Sequence, residues 1–206
     1  MPDLPPTEPH RTAGGSVSPA YFARLYASDP DPWGFATSPY EAAKYAATLE
    51  ALPRPHYRRA FEVGCAGGVL TRQLASRCGH LVAVDVAPDA LEAARARCAD
   101  LGGVLVAPMT VPNEWPVGLF DLVVVSEVGY YLGDADFASL QARCADTVEP
   151  GGHLVLVHWT GSTDYPRTGD AVHDAVLADP AWDGIYATRT EAYRLDVLAR
   201  RAHRPV

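Results

Sequence analysis

Residues able to hold an adenosine-containing molecule follow two short apolar segments. The first segment, 60–63, runs into a turn of small residues, Gly64-Cys65-Ala66-Gly67-Gly68, that opens a helical run. Small residues in a strand-to-helix turn let the backbone approach a ligand closely. Asp85 ends the next apolar segment, where a carboxylate can accept the hydroxyl protons of a ribose. The pattern therefore predicts a site for an adenosine cofactor.

Nicotinamide cofactors and S-adenosylmethionine both bind at sites with this layout. The residues of the turn distinguish the two. The nicotinamide fingerprint GxGxxG would need glycine at positions 66 and 69, where the chain has Ala66 and Val69. Glu62 precedes Gly64 by two residues. S-adenosylmethionine has no phosphate but carries an ammonium and a sulfonium, for which carboxylates are useful ligands. The turn therefore favours S-adenosylmethionine over a nicotinamide cofactor.

These residues must be positioned by strands that alternate with helices. Five short apolar strands are predicted near 60–63, 81–84, 104–106, 122–125 and 153–158. Such alternation is typical of a doubly wound α/β sheet, whose ligand lies beyond the carboxyl ends of the strands. Two more strands, 186–190 and 193–199, are predicted to pair antiparallel at the sheet edge. We therefore predict a mostly parallel, seven-stranded, Rossmann-like sheet.

The 206 residues are enough for one domain with its own core. We expect a disordered leader, 1–19, before a single domain, 20–206, made of a cap segment, 20–56, and a core, 57–206. The cap segment is rich in aromatic residues, which favour burial. Ser38 and Pro39 begin a helix predicted to run to about Leu52. The cap segment should therefore form a helical cover.

Composition argues against several classes of function. The formal charge of -8 and the pI near 5.3 disfavour a nucleic-acid partner, which requires clustered basic residues. The four cysteines form no CxxC pair, so we predict no metal site and expect each cysteine to be reduced and buried. No stretch has the length of an apolar membrane span, and no apolar signal segment begins the chain. We therefore expect a cytoplasmic protein without a membrane partner.

Three runs of residues resemble motifs of the class I S-adenosylmethionine-dependent methyltransferases. FEVGCAGGVLT (61–71) resembles motif I, ExGxGxG, with Ala66 in place of the middle glycine. FDLVVVSEVGYYL (120–132) resembles the motif IV region, and EPGGHL (149–154) the turn before strand five. A narrower likeness is to the NodS-type methyltransferases, over roughly 21–200. It is carried by DPWGF (31–35), SPYE (38–41), KY (44–45), SEVGYYL (126–132), HW (158–159), DYP (164–166) and TGDAVH (168–173).

The resemblance implies methyl transfer from S-adenosylmethionine, with S-adenosylhomocysteine as product. The acceptor it implies is the amine of a sugar or sugar-like small molecule. Glu62 and the turn after it are expected to hold the methionyl part, Asp85 the ribose, and backbone groups of the loop after strand three the adenine. The predicted cofactor ligands are Glu62, Gly64, Cys65, Ala66, Gly68, Asp85, Val86, Met109, Thr110, Val111, Ser126 and Glu127.

Residues after strands four and five are candidates for the chemistry. Glu127 is expected either to take a proton from the acceptor amine or to orient the ammonium of the cofactor. Tyr130 and His158 are the other catalytic candidates, with burial in the core as the alternative for each. Gly129 is expected to leave room over the methyl group. Lys44, the single lysine of the chain, is predicted to be solvated.

Five further side chains are predicted to form a lid or to line the acceptor site, with plain packing as the alternative: Trp33, Tyr40, Tyr131, Tyr165 and His173. Two other functions stay open at this point. One is O-methylation of a hydroxylated natural product, which needs a stronger base than N-methylation. The other is a non-catalytic module that binds S-adenosylmethionine. The oligomeric state stays open as well.

Overall fold

The protein alternates helices and strands along almost its whole length. The structure, a computed structural model, describes residues 10–202. Six α-helices lie within these residues: α1 (Pro19–Ser28), α2 (Pro39–Glu50), α3 (Val69–Ala75), α4 (Pro88–Arg97), α5 (Asp134–Thr147) and α6 (Gly169–Leu177). The strands are β1 (Tyr57–Val63), β2 (Cys78–Asp85), β3 (Val104–Pro108), β4 (Phe120–Ser126), β5 (Val148–Trp159), β6 (Trp182–Arg189) and β7 (Tyr193–Arg200). A short 3-10 turn, Gly129–Tyr131, follows β4.

The strands form one sheet in the order β3-β2-β1-β4-β5-β7-β6. Strands β1 to β5 pair in parallel, whereas β7 runs antiparallel to both β5 and β6. This confirms the α/β fold with seven strands, mostly parallel. Strand β6 begins at Trp182, earlier than the predicted residue 186. Its residues are mostly exposed at the sheet edge, so no apolar run marks where it begins.

Helices cover both faces of the sheet, and the residues of β4 show why. Val123 and Val125 belong to a cluster with Phe137 of α5. Leu122 and Val124 belong to another cluster with Leu74 of α3, on the opposite face. A strand buried on both faces needs a continuous apolar run, because successive side chains point to opposite sides. The sheet is therefore doubly wound, and its strand ends meet at one edge.

Four of the seven aromatic residues of the cap segment are buried and the other three are half-buried, in agreement with the prediction that this segment packs onto the rest of the domain. Tyr21, Tyr26 and Trp33 form one cluster with Ala87 and Ala90 at the start of α4. Helix α2 begins as predicted, with the Ser38 Oγ accepting from the Glu41 N–H at 3.5 Å, and it ends at Glu50. The cap segment therefore packs beside the carboxyl end of β2.

The structure differs from the predicted leader over residues 10–19. The Val17 N–H donates to the Tyr131 carbonyl at 2.8 Å, and the Gly133 N–H donates to the Ser16 Oγ at 2.9 Å. Val17 and Ser16 are both buried. The partners lie more than a hundred residues away, so the local composition, which is that of a polar linker, does not reveal the contact. Residues 1–9 of the predicted leader lie outside the described residues.

Candidate active site

A cavity of about 180 Å³ lies beyond the carboxyl ends of β1, β2 and β4. Eleven of the twelve predicted cofactor ligands line it: Glu62, Gly64, Cys65, Ala66, Asp85, Val86, Met109, Thr110, Val111, Ser126 and Glu127. The opposite wall comes from the N-terminal part of the chain, with Thr12, Ser16, Val17, Pro19, Phe22, Tyr26, Trp33, Phe35 and Tyr45. The topology thus places the cavity where an open parallel sheet ordinarily binds its ligand.

The turn after β1 is compact because its backbone enters the left-handed region. Gly64 has φ 75°, and a Cβ built there would lie 2.3 Å from the Val128 Cγ2. Ala66 also has positive φ, 48°, although it is not glycine. Its N–H donates to the Asp85 Oδ2 at 2.9 Å, which stabilises this conformation. The turn therefore accommodates Ala66 where the resembling motif has glycine.

Gly68 is the one predicted ligand that does not line the cavity. It has φ 76° and precedes α3. A Cβ built there would lie 2.8 Å from the Ala94 Cα of α4. Gly68 is therefore required for the close approach of two helices, and this packing accounts for the glycine without a contact to the cofactor.

Asp85 is held rigidly at the end of β2. Its Oδ1 accepts the N–H groups of Val86 at 2.7 Å and Ala87 at 2.9 Å, while Oδ2 accepts that of Ala66. Burial raises the pKa of this carboxyl, and the three backbone donors oppose the shift. A carboxylate has about four acceptor positions, so at least one remains for a ligand hydroxyl.

Glu62 is the most enclosed carboxyl group of the cavity. It is 2% exposed, and its Oε2 has no hydrogen-bond partner among the described residues. Burial raises the pKa of Glu62 to about 8. An orphaned acceptor of this kind is costly unless a ligand supplies the missing donor or the group is protonated.

The loop after β3 contributes both backbone and side-chain groups. The Met109 N–H donates to the Asp85 carbonyl at 3.1 Å, and the Thr110 N–H donates to Glu114 Oε2 at 2.6 Å. Asn113 also lines the cavity and carries an amide that both donates and accepts. Sequence reasoning missed Asn113, since nothing in its spacing distinguishes it from an ordinary loop residue.

Glu127 lies in a network that reaches back to the N-terminal part of the chain. Its Oε1 accepts from the Lys44 Nζ at 2.5 Å. Its Oε2 accepts from the Tyr130 hydroxyl and from the Trp159 N–H, the latter at 3.0 Å. Glu127 has φ 57°, which turns the backbone sharply after β4. With both oxygens bonded, this carboxylate is poorly placed to act as a general base.

Lys44 is 1% exposed, so the prediction that it is solvated is wrong. Its Nζ lies 3.0 Å from both carboxylate oxygens of Glu41, besides the contact with Glu127. Although burial alone disfavours the ammonium, the two carboxylates raise the pKa of Lys44 above its ordinary value. A lysine on a helix is ordinarily exposed, and only the distant Glu127 explains why this one is not.

Tyr131 lines the cavity, whereas Tyr130 does not. The Tyr130 ring is buried and stacks on Tyr165, with ring centroids 5.4 Å apart. Tyr165 meets Tyr131 edge to face at 4.7 Å and also stays outside the cavity. Tyr130 and Tyr165 thus support the cavity wall from behind, and neither of these predicted site residues lines the cavity.

His158 and His173 form a buried relay outside the cavity, which fits the alternative of core burial better than a catalytic role for His158 or an acceptor-site role for His173. The Gly129 N–H donates to the His158 Nε2 at 3.0 Å, so the proton of this neutral ring is on Nδ1. His158 Nδ1 then donates to His173 Nε2 at 3.0 Å, and His173 Nδ1 donates to Asp196 Oδ2 at 2.8 Å. Both rings are 0% exposed. Burial lowers the pKa of His158 well below its usual range, as does His173 beside it.

Position 129 requires glycine because it lies close to this relay and to α6. A Cβ built there would lie 2.7 Å from the Val172 Cγ1 and 3.0 Å from the His158 Nε2. The missing side chain thus makes room for α6 and the relay, behind the cavity. The prediction that it makes room over the methyl group is not supported by this geometry.

Of the predicted lid residues in the cap segment, Trp33 lines the cavity and Tyr40 does not. Trp33 stacks on Phe35 with ring centroids 5.6 Å apart. Tyr40 instead packs against Tyr193 of β7 at 6.2 Å, and Lys44 lies over its ring. Helix α2 turns Tyr40 toward the outer strands, an arrangement that fits the alternative of plain packing better than a lid role.

The charged side chains that line the otherwise mostly apolar cavity are all acidic. Four carboxylates face it, from Glu62, Asp85, Glu127 and Asp136, and no side chain of lysine, arginine or histidine lies among its described lining residues. Asp136 was not predicted; its Oδ2 accepts from the Ser16 hydroxyl. This environment favours a cationic ligand and disfavours a phosphorylated one.

Within residues 10–202, no group of His, Cys, Asp and Glu side chains has the arrangement of a metal site. The four cysteines are free and buried. None of the helices described is long and apolar enough to cross a membrane.

Comparisons with known proteins find relatives among the nodulation S proteins and the methyltransferases. A family model described as Nodulation protein S (NodS) matches residues 23–149. Nodulation protein S of Rhizobium tropici is 37% identical over 128 residues, which are 61% of this chain and 54% of the relative. The chain thus spans about half the length of the curated relatives it matches.

Two solved structures are similar over their whole length. A candidate methyltransferase from Pseudomonas syringae is 40% identical, with a TM-score of 0.69, and the match covers 78% of this chain and 99% of that one. The N-methyltransferase NodS from Bradyrhizobium japonicum, in complex with S-adenosylhomocysteine, is 26% identical with a TM-score of 0.79. That match covers 88% of this chain and 97% of the other.

Proposed function

The chain belongs to the Nodulation protein S (NodS) family, and from this we propose that it transfers a methyl group from S-adenosylmethionine to the amine of a sugar or sugar-like small molecule. The observation that carries the proposal is the carboxylate-lined cavity at the ends of β1, β2 and β4. The related NodS of Bradyrhizobium japonicum is an N-methyltransferase with S-adenosylhomocysteine bound. A cationic donor and an amine acceptor both suit acidic walls.

The strand-end wall fits the three parts of the donor. Glu62, with its orphaned Oε2, suits the α-ammonium, and the free acceptor position of Asp85 suits a ribose hydroxyl. The 109–111 loop would hold the adenine, and Asn113, two residues further along, would supply a side-chain amide. When bound, the sulfonium would supply an electrophilic methyl group.

The N-terminal wall is the proposed cover of the site. Phe22, Trp33 and Phe35 line the cavity with aromatic rings, and Val17 and Ser16 tie the chain before α1 to the residues after β4. A cover of this kind encloses donor and acceptor together, and holding the two at reacting distance is an effect worth up to roughly 7–11 kcal/mol. We infer that the acceptor enters between these rings and Tyr131.

The ion-paired state of Glu127 supports an amine rather than a hydroxyl as acceptor. An alcohol needs a base to become a nucleophile, and both Glu127 oxygens are already bonded. An amine with a pKa of about 7.7–8.0 is partly neutral at pH 7 without help. Glu127 then positions the residues after β4 and does not take the proton.

Calorimetry with S-adenosylhomocysteine and with NADH tests the donor site. We expect S-adenosylhomocysteine to bind and NADH not to bind. Asp85→Ala should weaken binding at least tenfold, whereas Asp89→Ala, an exposed carboxylate four residues along the chain, should leave it unchanged. Undiminished binding by Asp85→Ala would contradict the proposed site, provided that both variants keep the melting temperature of the parent.

A transfer assay tests the acceptor. Glucosamine oligomers, their N-acetylated forms and a catechol are each incubated with labelled S-adenosylmethionine. Transfer to the free amine alone supports the proposal. Transfer to the catechol would establish O-methylation instead, and binding of the donor without transfer to any amine or hydroxyl probe would favour a non-catalytic module.

A further inference from the structure

Glu62 is distinguished from the other carboxylates of the cavity by having no cation and few donors. Asp85 accepts from three backbone amides, Glu127 from an ammonium, and Asp136 from a hydroxyl. The Glu62 Oε2, in contrast, is buried without a partner among the described residues. The group nevertheless borders the cavity, so a ligand can reach it.

The elements packed around Glu62 bring no positive charge to it. Asp85 of β2 adds a like charge. The Thr71 hydroxyl of α3 lies nearby but, like the Glu62 Oε2, has no hydrogen-bond partner among the described residues. The other titratable groups that sense its charge are neutral at pH 7 when buried: Tyr45 of α2, Cys65 in the turn, Cys78 of β2 and Cys98 after α4. The Lys44 ammonium is already ion-paired with Glu41 and Glu127. An ionised carboxylate in such surroundings carries a large desolvation cost.

We propose that Glu62 is a proton-exchanging ligand, protonated in the free protein and ionised when the ammonium of the donor binds beside it. This rests on the proposed function. Glu62 loses its carboxyl proton to the solvent, the ammonium keeps all of its own protons, and the two become a buried ion pair. The orphaned Oε2 gains the donor it lacks.

The exchange makes Glu62 select for the amino-acid end of the donor. A ligand without an ammonium leaves the carboxyl protonated and gains nothing from it. Burial raises the pKa of Glu62 to about 8, so below this pH the proton competes with the ligand. The affinity for S-adenosylhomocysteine should therefore rise with pH between 6 and 8, by up to tenfold per pH unit, and level off above.

Titration calorimetry in several buffers measures the proton directly. The full chain is titrated with S-adenosylhomocysteine at pH 7 in phosphate, imidazole and Tris, whose different ionisation enthalpies reveal the protons exchanged. A carboxyl with a pKa of about 8 is about nine-tenths protonated at pH 7, so release of about 0.9 proton is expected. The probe 5′-methylthioadenosine, which lacks the amino-acid part, should release none.

Two variants assign the proton to its residue. Glu62→Gln should bind S-adenosylhomocysteine without proton release, while the matched Asp136→Asn, at another cavity carboxylate, should release as much as the parent. Binding by the parent with release below about 0.2 proton would overturn the inference and leave the proposed function standing. Release by Glu62→Gln equal to that of the parent would also overturn it. No binding at all would overturn both.

An infrared difference spectrum covers the case in which Glu62→Gln does not fold. The carbonyl stretch of a protonated carboxyl should be present in the free parent and disappear when S-adenosylhomocysteine is added. A protonated carboxyl band that persists in the complex would overturn the inference.

Discussion

The strand-end wall of the cavity and its N-terminal wall are held in place by different kinds of contact. On the strand-end side, Asp85 accepts from amides that are close in the sheet or adjacent in the chain. On the N-terminal side, Lys44 pairs with Glu127 and Val17 bonds to Tyr131, across long stretches of sequence. The first wall follows from local backbone geometry, whereas the second depends on a few long-range polar contacts. Substitutions in the strand-end wall and in the N-terminal wall should therefore have different effects on stability and on binding.

Lys44→Met should have the largest effect. It leaves Glu41 and Glu127 as buried carboxylates without their cation, which typically costs about 3–5 kcal/mol. Urea unfolding followed by circular dichroism measures the loss. Adding Glu127→Gln to this variant should restore part of the stability, since one unpaired charge is removed. If the double variant is no more stable than Lys44→Met, the ion pair does not hold the N-terminal wall.

Gly64→Ala tests the strand-end wall and should have the next largest effect. The new Cβ would meet the Val128 Cγ2 at 2.3 Å, and φ is 75°. We expect a loss of about 1–3 kcal/mol in unfolding free energy and weaker binding of S-adenosylhomocysteine. Gly102→Ala is the matched control, because nothing lies within 4 Å of a Cβ there. Equal losses in the two variants would contradict the close packing of this turn.

The histidine relay, which supports the residues between the walls, should make stability depend on pH. Burial lowers the pKa of His158, so between that value and about 6.5 the unfolded chain binds a proton that the folded chain does not. The contribution of His158 to the unfolding free energy should therefore fall as pH drops below about 6.5, by up to about 1.4 kcal/mol per pH unit. Glu62, whose pKa burial raises, contributes in the opposite direction over the same range. His158→Gln should remove the His158 contribution, so the stability of the parent minus that of the variant should fall as pH drops. Glu62 and His153, whose pKa burial lowers, remain in both proteins and largely cancel in this difference.

Tyr40→Phe should have the smallest effect on stability and binding. It tests the distinction between residues that line the cavity and residues that pack elsewhere. Its hydroxyl is buried without a partner among the described residues and lies away from the cavity. We expect a change within about 0.5 kcal/mol and no change in the affinity for S-adenosylhomocysteine. A tenfold weaker affinity would place Tyr40 in the site after all.

The two walls also differ in how far the sequence predicts them. The strand-end wall was predictable because small residues, a strand-final carboxylate and apolar runs each have a local structural meaning. The role of Lys44 was not, because a lysine on a helix has the same local pattern whether or not a distant Glu127 faces it. The burial of Val17 was missed for the same reason.

For residues near the two walls, the sequence predicts the correct part of the fold but not always whether the side chain faces the cavity or the core. Tyr130 follows β4, which ends at the cavity, and His158 lies near the carboxyl end of the adjacent strand β5, yet both side chains are buried in the core. Gly68 and Gly129 are explained by neighbouring helices, not by a ligand. Spacing locates a strand end, whereas the rotamer and the packing of the next helix decide which way a side chain points.

The position of Asp196 in β7 has a consequence for how the protein is made. His173 of α6 and His158 of β5 leave the ribosome before Asp196, yet the relay that fixes the Gly129 amide ends on this carboxylate. The turn that follows β4 thus gains its last support only after β7 has been synthesised. A nascent chain that stops before β7 would contain every residue of the donor pocket and still lack the carboxylate that orients the two rings behind this turn.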